Sequence, residues 1–248
     1  MQQVICVAIQ KGGTGKTTTA AALADAAVMD GRSVLAIDLD PQANLTYTAG
    51  ATAGGPGSFE MLEGKPAKSL VQHIRPGFDL IPASEGLSTI KTGPGSARRL
   101  QKALEPIKDK YDVIVIDTPP TAGELQYNGL QASTALVIPL QADVYGLQGL
   151  YQMIEAARSI QRSNPALNLA GIVITQYDGR STISKQMRQI IINKAAALGV
   201  PHIGTVRAAA AVREAAAMQR SLFDYAPKSK PAADYATIYQ ALKRGIDK

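Results

Sequence analysis

Residues 10–18 read QKGGTGKTT and join an apolar run, VICVAI at residues 4–9, to an alanine-rich stretch at residues 17–29. The apolar run predicts a buried strand, and the alanine-rich stretch predicts a helix. The loop between them is rich in glycine, which adopts backbone conformations that other residues avoid. A strand, a glycine-rich turn and a helix in direct succession predict the start of an α/β sheet.

The loop has the composition of a phosphate-binding loop. Its end, Gly15-Lys16-Thr17, fits the pattern G-x-x-x-x-G-K-[ST], but Gln10 stands where that pattern has its first glycine. Backbone N–H groups of such a loop point at phosphate oxygens, and the following helix adds its partial positive charge. We expect Lys16 to reach the β- and γ-phosphates of ATP and Thr17 to bind Mg²⁺. The expected nucleotide-binding residues are Lys11, Gly12, Gly13, Thr14, Gly15, Lys16, Thr17 and Thr18.

Two other strand ends carry carboxylates. The stretch VLAIDLDPQ (34–42) carries Asp38 and Asp40, and the stretch DVIVIDTPP (112–120) carries Asp117. The carboxyl ends of parallel strands meet at one edge of an open α/β sheet, where ligands bind. An acid that follows an apolar strand is expected to hold Mg²⁺, directly or through water. The structural alternative for each aspartate is to cap the turn that follows it.

The composition of the chain limits the class of protein and its expected cellular location. The chain has 248 residues, 46% of them hydrophobic and 19% charged, as in an ordinary globular domain. Its single cysteine, Cys6, cannot form an internal disulfide. No apolar run reaches the roughly 18 residues of a membrane span. The first residues, MQQVICVAIQ, lack the basic region of a signal peptide. A cytoplasmic location is therefore expected.

Charge is distributed unevenly along the chain. Residues 1–150 contain 12 Lys+Arg and 14 Asp+Glu, a net charge of −2, whereas residues 151–248 contain 14 and 6, a net charge of +8. A basic half of this kind indicates a polyanionic partner, either nucleic acid or an anionic membrane surface. From charge alone, a solvated basic surface without a partner remains the alternative.

Strands and helices alternate along the rest of the chain. Further strands are expected at 33–37, 78–81, 112–116, 135–140, 169–175 and 202–206, and further helices near 95–108, 123–132, 147–162, 181–198, 208–219 and 231–245. This alternation predicts a mostly parallel β-sheet with helices on both faces. No linker or repeat divides the sequence, so we expect a single α/β domain of the P-loop NTPase fold over residues 1–248.

Most of the chain resembles the deviant Walker A ATPases of the ParA/MinD superfamily, in particular the short, Soj-like ParA proteins. The resemblance rests on KGGTGKTT (11–18), DLDPQ (38–42), DTPP (117–120), VIPLQADVYGLQGL (137–150), ITQYDGRST (174–182) and FDYAPKSKPAADY (223–235). It implies an ATPase that uses ATP and Mg²⁺ and forms an ATP-dependent homodimer, in which Lys11 contacts the partner subunit's ATP.

The resemblance also implies the residue roles. Lys11, Lys16 and Asp40 are the expected catalytic residues, and Asp40 is the one that positions the attacking water. Thr17, Asp38 and Asp117 are the expected metal site, with Asp38 supporting the metal and the switch loop. Hydrolysis is expected to be slow until a ParB-like activator protein stimulates it.

ParA-like proteins bind DNA without sequence preference, so the resemblance implies DNA partitioning, nonspecific double-stranded DNA as a partner and a location on the nucleoid. The expected DNA-binding residues are Arg180, Lys185, Arg188, Arg207 and Arg213. Contacts to phosphates would make the affinity fall steeply with salt. VRAAAAVREA (206–215) stands where the family often has Pro-Arg-Asn-Val-Arg, so Arg207 and Arg213 are displaced substitutes for the family's arginines.

The alternative function is a MinD-like spatial regulator that works on a membrane. The stretch DYATIYQALKRGIDK (234–248) places Tyr235, Ile238, Tyr239, Leu242 and Ile246 at helical spacing. We interpret this stripe as a helix packed on the body of the protein, because it lacks the basic and aromatic face of a membrane-binding helix. No membrane partner is therefore expected. A module that binds nucleotide without hydrolysing it is a third hypothesis.

Overall fold

The computed structural model describes residues 2–246, except for the side chain of Ile246. Within that range, the strands are β1 (Gln3–Val7), β2 (Val34–Asp38), β3 (Gln72–Arg75), β4 (Phe78–Ile81), β5 (Val113–Asp117), β6 (Ala135–Gln141), β7 (Asn168–Tyr177) and β8 (His202–Arg207). They form one sheet in the order β3-β4-β2-β5-β1-β6-β7-β8. Every neighbouring pair is parallel except β3 and β4.

Helices cover both faces of the sheet. They are α1 (Lys16–Met29), α2 (Asn44–Thr48), α3 (Ser58–Leu62), α4 (Arg99–Leu104), α5 (Glu124–Ala132), α6 (Val144–Gln161), α7 (Thr182–Ala197), α8 (Ala210–Ala217), α9 (Leu222–Tyr225) and α10 (Lys230–Ile246). Short 3-10 turns occur at Ala67–Ser69, Glu85–Thr89, Ser96–Arg98 and Lys108–Lys110.

The alternation of side chains along each strand divides the core between the two faces. In β1, Ile5 and Val7 pack into a cluster with α1, α8, α9 and α10. Val4 packs with α3, α4 and α5, and Cys6 packs with α5, α6 and α7. The predicted α/β fold, with a mostly parallel sheet and helices on both faces, is confirmed.

Some elements differ from the prediction. The helix expected at 95–108 is wrong in extent, because a 3-10 turn precedes α4 and α4 ends at Leu104, before Pro106. The short helices α2, α3 and α9 were not predicted, and neither was β3. Strand β3 reads QHIR and lies antiparallel at the sheet edge, so it has no apolar alternation to reveal it.

Helix α10 packs its apolar stripe on the body of the protein. Tyr235, Ile238, Tyr239 and Leu242 are all buried, in the same cluster as α1. This confirms our interpretation of the stripe, although the side chain of Ile246 lies outside the described residues. Across residues 2–246, no helix combines the length and the apolar character that crossing a membrane requires.

The strand order determines where a ligand would bind. Strand β1 lies between β5 and β6, with β2, β4 and β3 beyond β5 on one side and β7 and β8 beyond β6 on the other. In such sheets the carboxyl ends of the strands at the point of reversal form the binding crevice. Asp117 at the end of β5 is in register with Val7 of β1 and with Asp38 of β2.

Candidate nucleotide-binding site

The loop between β1 and α1 depends on glycine at two positions. Gly13 and Gly15 have φ angles of 73° and 80°, in the left-handed region that a side chain makes unfavourable. Gly15 is also the N-cap of α1, and its carbonyl accepts a hydrogen bond from the Thr19 amide at 2.9 Å. Gly12 has no positive φ, so its backbone conformation does not require glycine.

Side chains from the ends of two strands hold this loop from outside. The Thr175 hydroxyl donates to the Thr14 carbonyl at 2.7 Å. The Gly13 carbonyl accepts from Gln176 Nε2 at 2.7 Å and from Gln141 Nε2 at 3.2 Å. These three supporting residues were not predicted from the sequence. Their position at the carboxyl ends of β6 and β7 was the available signal.

Lys16 lies inside the site. Its residue is 6% exposed, and its Nζ donates to the Lys11 carbonyl at 2.9 Å. Burial lowers the pKa of Lys16, whereas the nearby carboxylates of Asp117 and Asp40 raise it. The structure therefore brings the loop lysine and two of the predicted carboxylates into one electrostatic environment.

Lys11 is paired within its own chain. Its Nζ lies 3.0 and 2.9 Å from the two carboxylate oxygens of Asp143, and 5.5 Å from the centre of the Tyr145 ring. Asp143 is also the N-cap of α6, where it accepts a hydrogen bond from the Gly146 amide. Asp143 was not predicted as a partner, because it is separated from Lys11 by 132 positions.

Asp117 is the unusual carboxylate of the site. It is fully buried, and neither of its oxygens has a partner at hydrogen-bond distance and angle among the described residues, although the Thr17 hydroxyl lies near enough to lower its pKa. Burial, followed by the neighbouring Asp38, raises its pKa well above the usual range, while Thr17 and Lys16 act in the opposite direction. A buried carboxylate without partners is costly unless a cation satisfies it.

Asp38 and Asp40 serve the turns that follow them, as the structural alternative predicted. Asp38 accepts hydrogen bonds from the Asp40 amide at 3.0 Å and from the Thr46 amide and hydroxyl at 2.8 Å each. Burial raises the pKa of Asp38 to about 6. Asp40 accepts from the Gln42 amide through one oxygen at 3.0 Å. Asp38 thus accepts three hydrogen bonds from neighbouring groups, whereas Asp40 accepts one.

These residues fit a magnesium–nucleotide complex better than a metal held by protein alone. Within residues 2–246 there is no group of three or more His, Cys, Asp or Glu side chains that could hold a metal ion. Mg²⁺ usually binds through one or two protein oxygens together with substrate phosphates and water. The unpartnered Asp117 and the Thr17 hydroxyl at the start of α1 meet that requirement.

A hollow of about 450 Å³ opens beside the loop, on the side of β8 and α10. It is lined by Gly15, Thr18, Thr175, Gln176, Val206, Arg207, Ala208, Ala209, Ala210, Val212, Arg213 and Tyr235. Its volume is typical of small-ligand pockets. It adjoins the phosphate loop without including any of the three aspartates, so it suits a different part of a bound nucleotide.

The five predicted DNA-binding residues do not share one environment. Arg180 extends into solvent, with 93% of its side chain exposed and its Nε 3.1 Å from Asp178. Lys185 is also exposed, and both lie near the start of α7. Arg188 instead turns toward β8, where its Nε donates to the Thr205 hydroxyl at 3.2 Å.

The remaining two arginines lie near the hollow. Arg207 forms an ion pair with Asp234, with nitrogen–oxygen distances of 2.6 and 2.9 Å. Arg213 lines the hollow. Lys185 and Arg213 are therefore exposed without an ion pair among the described residues, whereas Arg180 is exposed but paired.

Comparisons with known proteins agree with this geometry. A family model described as an AAA domain matches residues 2–169. The chain is similar to the chromosome-partitioning ATPase Soj of Thermus thermophilus, with 39% identity over 186 residues that cover 74% of this chain and 73% of that protein. It is similar to the chromosome partitioning protein ParA of Caulobacter vibrioides, with 37% identity over 196 residues that cover 75% and 73%.

The fold is also found among solved structures. The chain is similar to a cobyrinic acid a,c-diamide synthase from Mycobacterium smegmatis with bound ADP and magnesium. The TM-score is 0.81 at 31% identity, and the match covers 100% of this chain and 96% of that one.

Proposed function

The chain belongs to the AAA domain family and to its ParA and Soj partitioning ATPases, and we propose that it is an ATP-dependent switch that partitions DNA. In this proposal, binding of Mg²⁺ and ATP drives formation of a homodimer, the dimer binds nonspecific DNA on the nucleoid, and a ParB-like partner stimulates hydrolysis to release it. The observation that carries the proposal is Asp117, buried and unpartnered, beside Lys16 of the phosphate loop.

The phosphate loop would bind the phosphates of ATP, and the buried carboxylates would bind the metal or support the neighbouring helix. The backbone around Gly13 and Gly15 would surround the phosphates, and Lys16 would neutralise their charge. Asp117 and Thr17 would hold Mg²⁺, while Asp38 supports α2 through Thr46. When bound, Mg²⁺ supplies further neutralisation of the phosphate oxygens.

Hydrolysis would depend on positioning a water molecule. One carboxylate oxygen of Asp40 accepts a hydrogen bond from the Gln42 amide, so the other oxygen would orient the water. Lys11 would leave Asp143 and contact the partner subunit's ATP. An active site completed only in the dimer would keep the isolated chain slow.

DNA binding would be electrostatic. Arg180 and Lys185 are exposed on a part of the chain, residues 151–248, with a net charge of +8. Contacts of such residues to phosphates carry no sequence information, which fits a nonspecific DNA partner. A membrane-bound role receives no support from α10, because its apolar stripe is buried.

The test is phosphate release from ATP by the wild type and by Lys16→Ala and Asp40→Ala. We expect Lys16→Ala to lose ATP binding and Asp40→Ala to keep binding but lose turnover. Lys65→Ala, an exposed lysine outside the site, serves as the matched control. Normal ATP binding by Lys16→Ala would overturn the nucleotide site. Normal turnover by Asp40→Ala would overturn the water-positioning role, and ATP binding without turnover in the wild type would leave a non-catalytic module.

A further inference from the structure

Gln176 has an unusual backbone conformation for a residue in a strand. Its φ angle is 51°, in the left-handed region that residues other than glycine rarely adopt. The register of β7 against β8 shifts between Ile174 and Tyr177, around this residue. Such bulges redirect a side chain and occur often next to active sites, where local strain is retained for a function.

The redirected side chain reaches both the phosphate loop and the hollow. Its Nε2 donates to the Gly13 carbonyl at 2.7 Å, and the residue lines the hollow beside Gly15 and Thr18. If phosphates bind along the loop, as the proposed function requires, the adjoining hollow receives the base. Gln176 then lies between the part of the site that binds the phosphates and the part that binds the base.

The hydrogen bond to Gly13 fixes which end of the amide is free. Nε2 uses one of its two N–H groups in that bond, and Oε1 accepts no hydrogen bond from the described residues. An amide oxygen only accepts. Adenine presents an amino group at its 6-position, which donates, whereas guanine presents a carbonyl oxygen there, which accepts. The free oxygen therefore can accept from the amino group of adenine, and it meets no donor at the 6-position of guanine.

The other polar side chains that line the hollow distinguish less well between adenine and guanine. The Thr175 hydroxyl is bonded to the Thr14 carbonyl, the Tyr235 hydroxyl to Thr19, and Arg207 to Asp234. Arg213 has only donors, and N7 of either purine can accept from them. The Thr18 hydroxyl can rotate to donate or accept. The alanines at 208–210 have no polar side-chain atom.

We propose that Gln176 is the specificity-determining residue that selects adenine over guanine in this hollow. This inference rests on the proposed function, since it takes the ligand to be a purine nucleotide. The bond to Gly13 gives Gln176 a second role in positioning the loop. A useful test must therefore separate selection of the base from support of the loop.

Gln141 provides the matched control. Its Nε2 donates to the same Gly13 carbonyl, at 3.2 Å, but the residue does not line the hollow. The experiment compares the wild type, Gln176→Met and Gln141→Met. The dissociation constants for Mg·ATP and Mg·GTP are measured for each by competition against a fluorescent ATP analogue. Gln176→Gly is a second variant, because glycine adopts a positive φ without strain and also removes the amide.

The expected result is a change in the ratio of affinities. The wild type should prefer ATP over GTP by about tenfold or more, as for one well-placed hydrogen bond to a base edge. Gln176→Met and Gln176→Gly should bring the ratio close to one. Gln141→Met should weaken ATP and GTP alike and leave the ratio unchanged.

Two results would overturn the inference while leaving the proposed function intact. One is an unchanged ratio in both Gln176 variants. The other is an equal change of the ratio in Gln141→Met, which would assign the effect to the loop. Failure of the wild type to bind either nucleotide would overturn the proposed function itself, and the inference with it.

Discussion

Lys11 Nζ lies 2.9 Å from Asp143 Oδ2 in the same chain, and this pair connects the phosphate loop to the first turn of α6. A lysine that must contact a partner subunit's nucleotide has to leave this carboxylate first. The two side chains are 22% and 40% exposed, so solvent screens the pair and its strength is modest, roughly 1 kcal/mol or less. For the proposed dimer, we therefore expect Asp143 to favour the monomer by a small and measurable amount.

Asp143→Asn should release Lys11 without disturbing α6. Asparagine is as good an N-cap as aspartate, so the bond to the Gly146 amide is retained. We expect the Mg·ATP-dependent dimer to form at about two- to fivefold lower protein concentration, the equivalent of losing an exposed ion pair. Sedimentation velocity across a protein dilution series measures this. An unchanged or weaker dimer would contradict the role of Asp143, and Lys11→Ala, expected to stay monomeric while it binds ATP, is the control.

Asp117→Asn should affect stability and magnesium binding in opposite directions. Burial raises the pKa of Asp117 and so disfavours its ionised form, and asparagine removes this cost, so we expect a higher melting temperature without nucleotide. It also removes a metal ligand, so Mg²⁺ should no longer strengthen ATP binding. Thermal denaturation with and without Mg·ATP tests both effects. A lower melting temperature together with normal magnesium dependence would show that Asp117 is structural.

Gly204→Ala tests the packing of α10 on the sheet. An added Cβ at Gly204 would collide with the side chain of Ile238 on α10. Overpacking of this kind costs about 1–3 kcal/mol, which urea denaturation measures. Gly93→Ala is the control, since an added Cβ there has nothing within 4 Å. Equal stability of the two variants would mean that α10 does not pack tightly against β8.

His202 should make stability depend on pH. Burial and the nearby Arg188 lower the pKa of His202, so the folded protein resists a proton that the unfolded chain accepts as pH falls through about 6.5. This contribution therefore destabilises the fold as pH falls from neutral toward 5.5. The free energy of unfolding should drop more in the wild type than in His202→Gln over this range. Identical pH profiles for the two proteins would contradict the prediction.

The parts of the site that the sequence predicted are local in the chain. The loop at residues 10–18, Asp38 and Asp117 each stand next to an apolar strand or an alanine-rich helix, and these patterns specify their elements directly. The register of Asp38 against Asp117 was not predicted, because it depends on β2 and β5 being neighbours in the sheet.

The parts that could not be predicted depend on contacts between distant segments. Helix α3 begins where the Ser58 hydroxyl donates to the Asp38 carbonyl, a contact that leaves no periodic pattern. The sequence predicted functional roles for Lys11 and Arg188 but not their partners in the fold, Asp143 and Thr205. The direction of the Gln176 side chain results from a bulge in β7, and no residue type in the sequence predicts that bulge.

The most direct test of the central claim is binding to a nonspecific DNA duplex, measured by fluorescence anisotropy with ATP, with ADP and without nucleotide. Each state is measured at about 50 and 200 mM salt, a range over which phosphate contacts lose affinity steeply. We expect binding with ATP alone, weakened by salt and reduced in Arg180→Glu. Absence of DNA binding in every state, or binding that ignores the nucleotide, would contradict a DNA-partitioning switch.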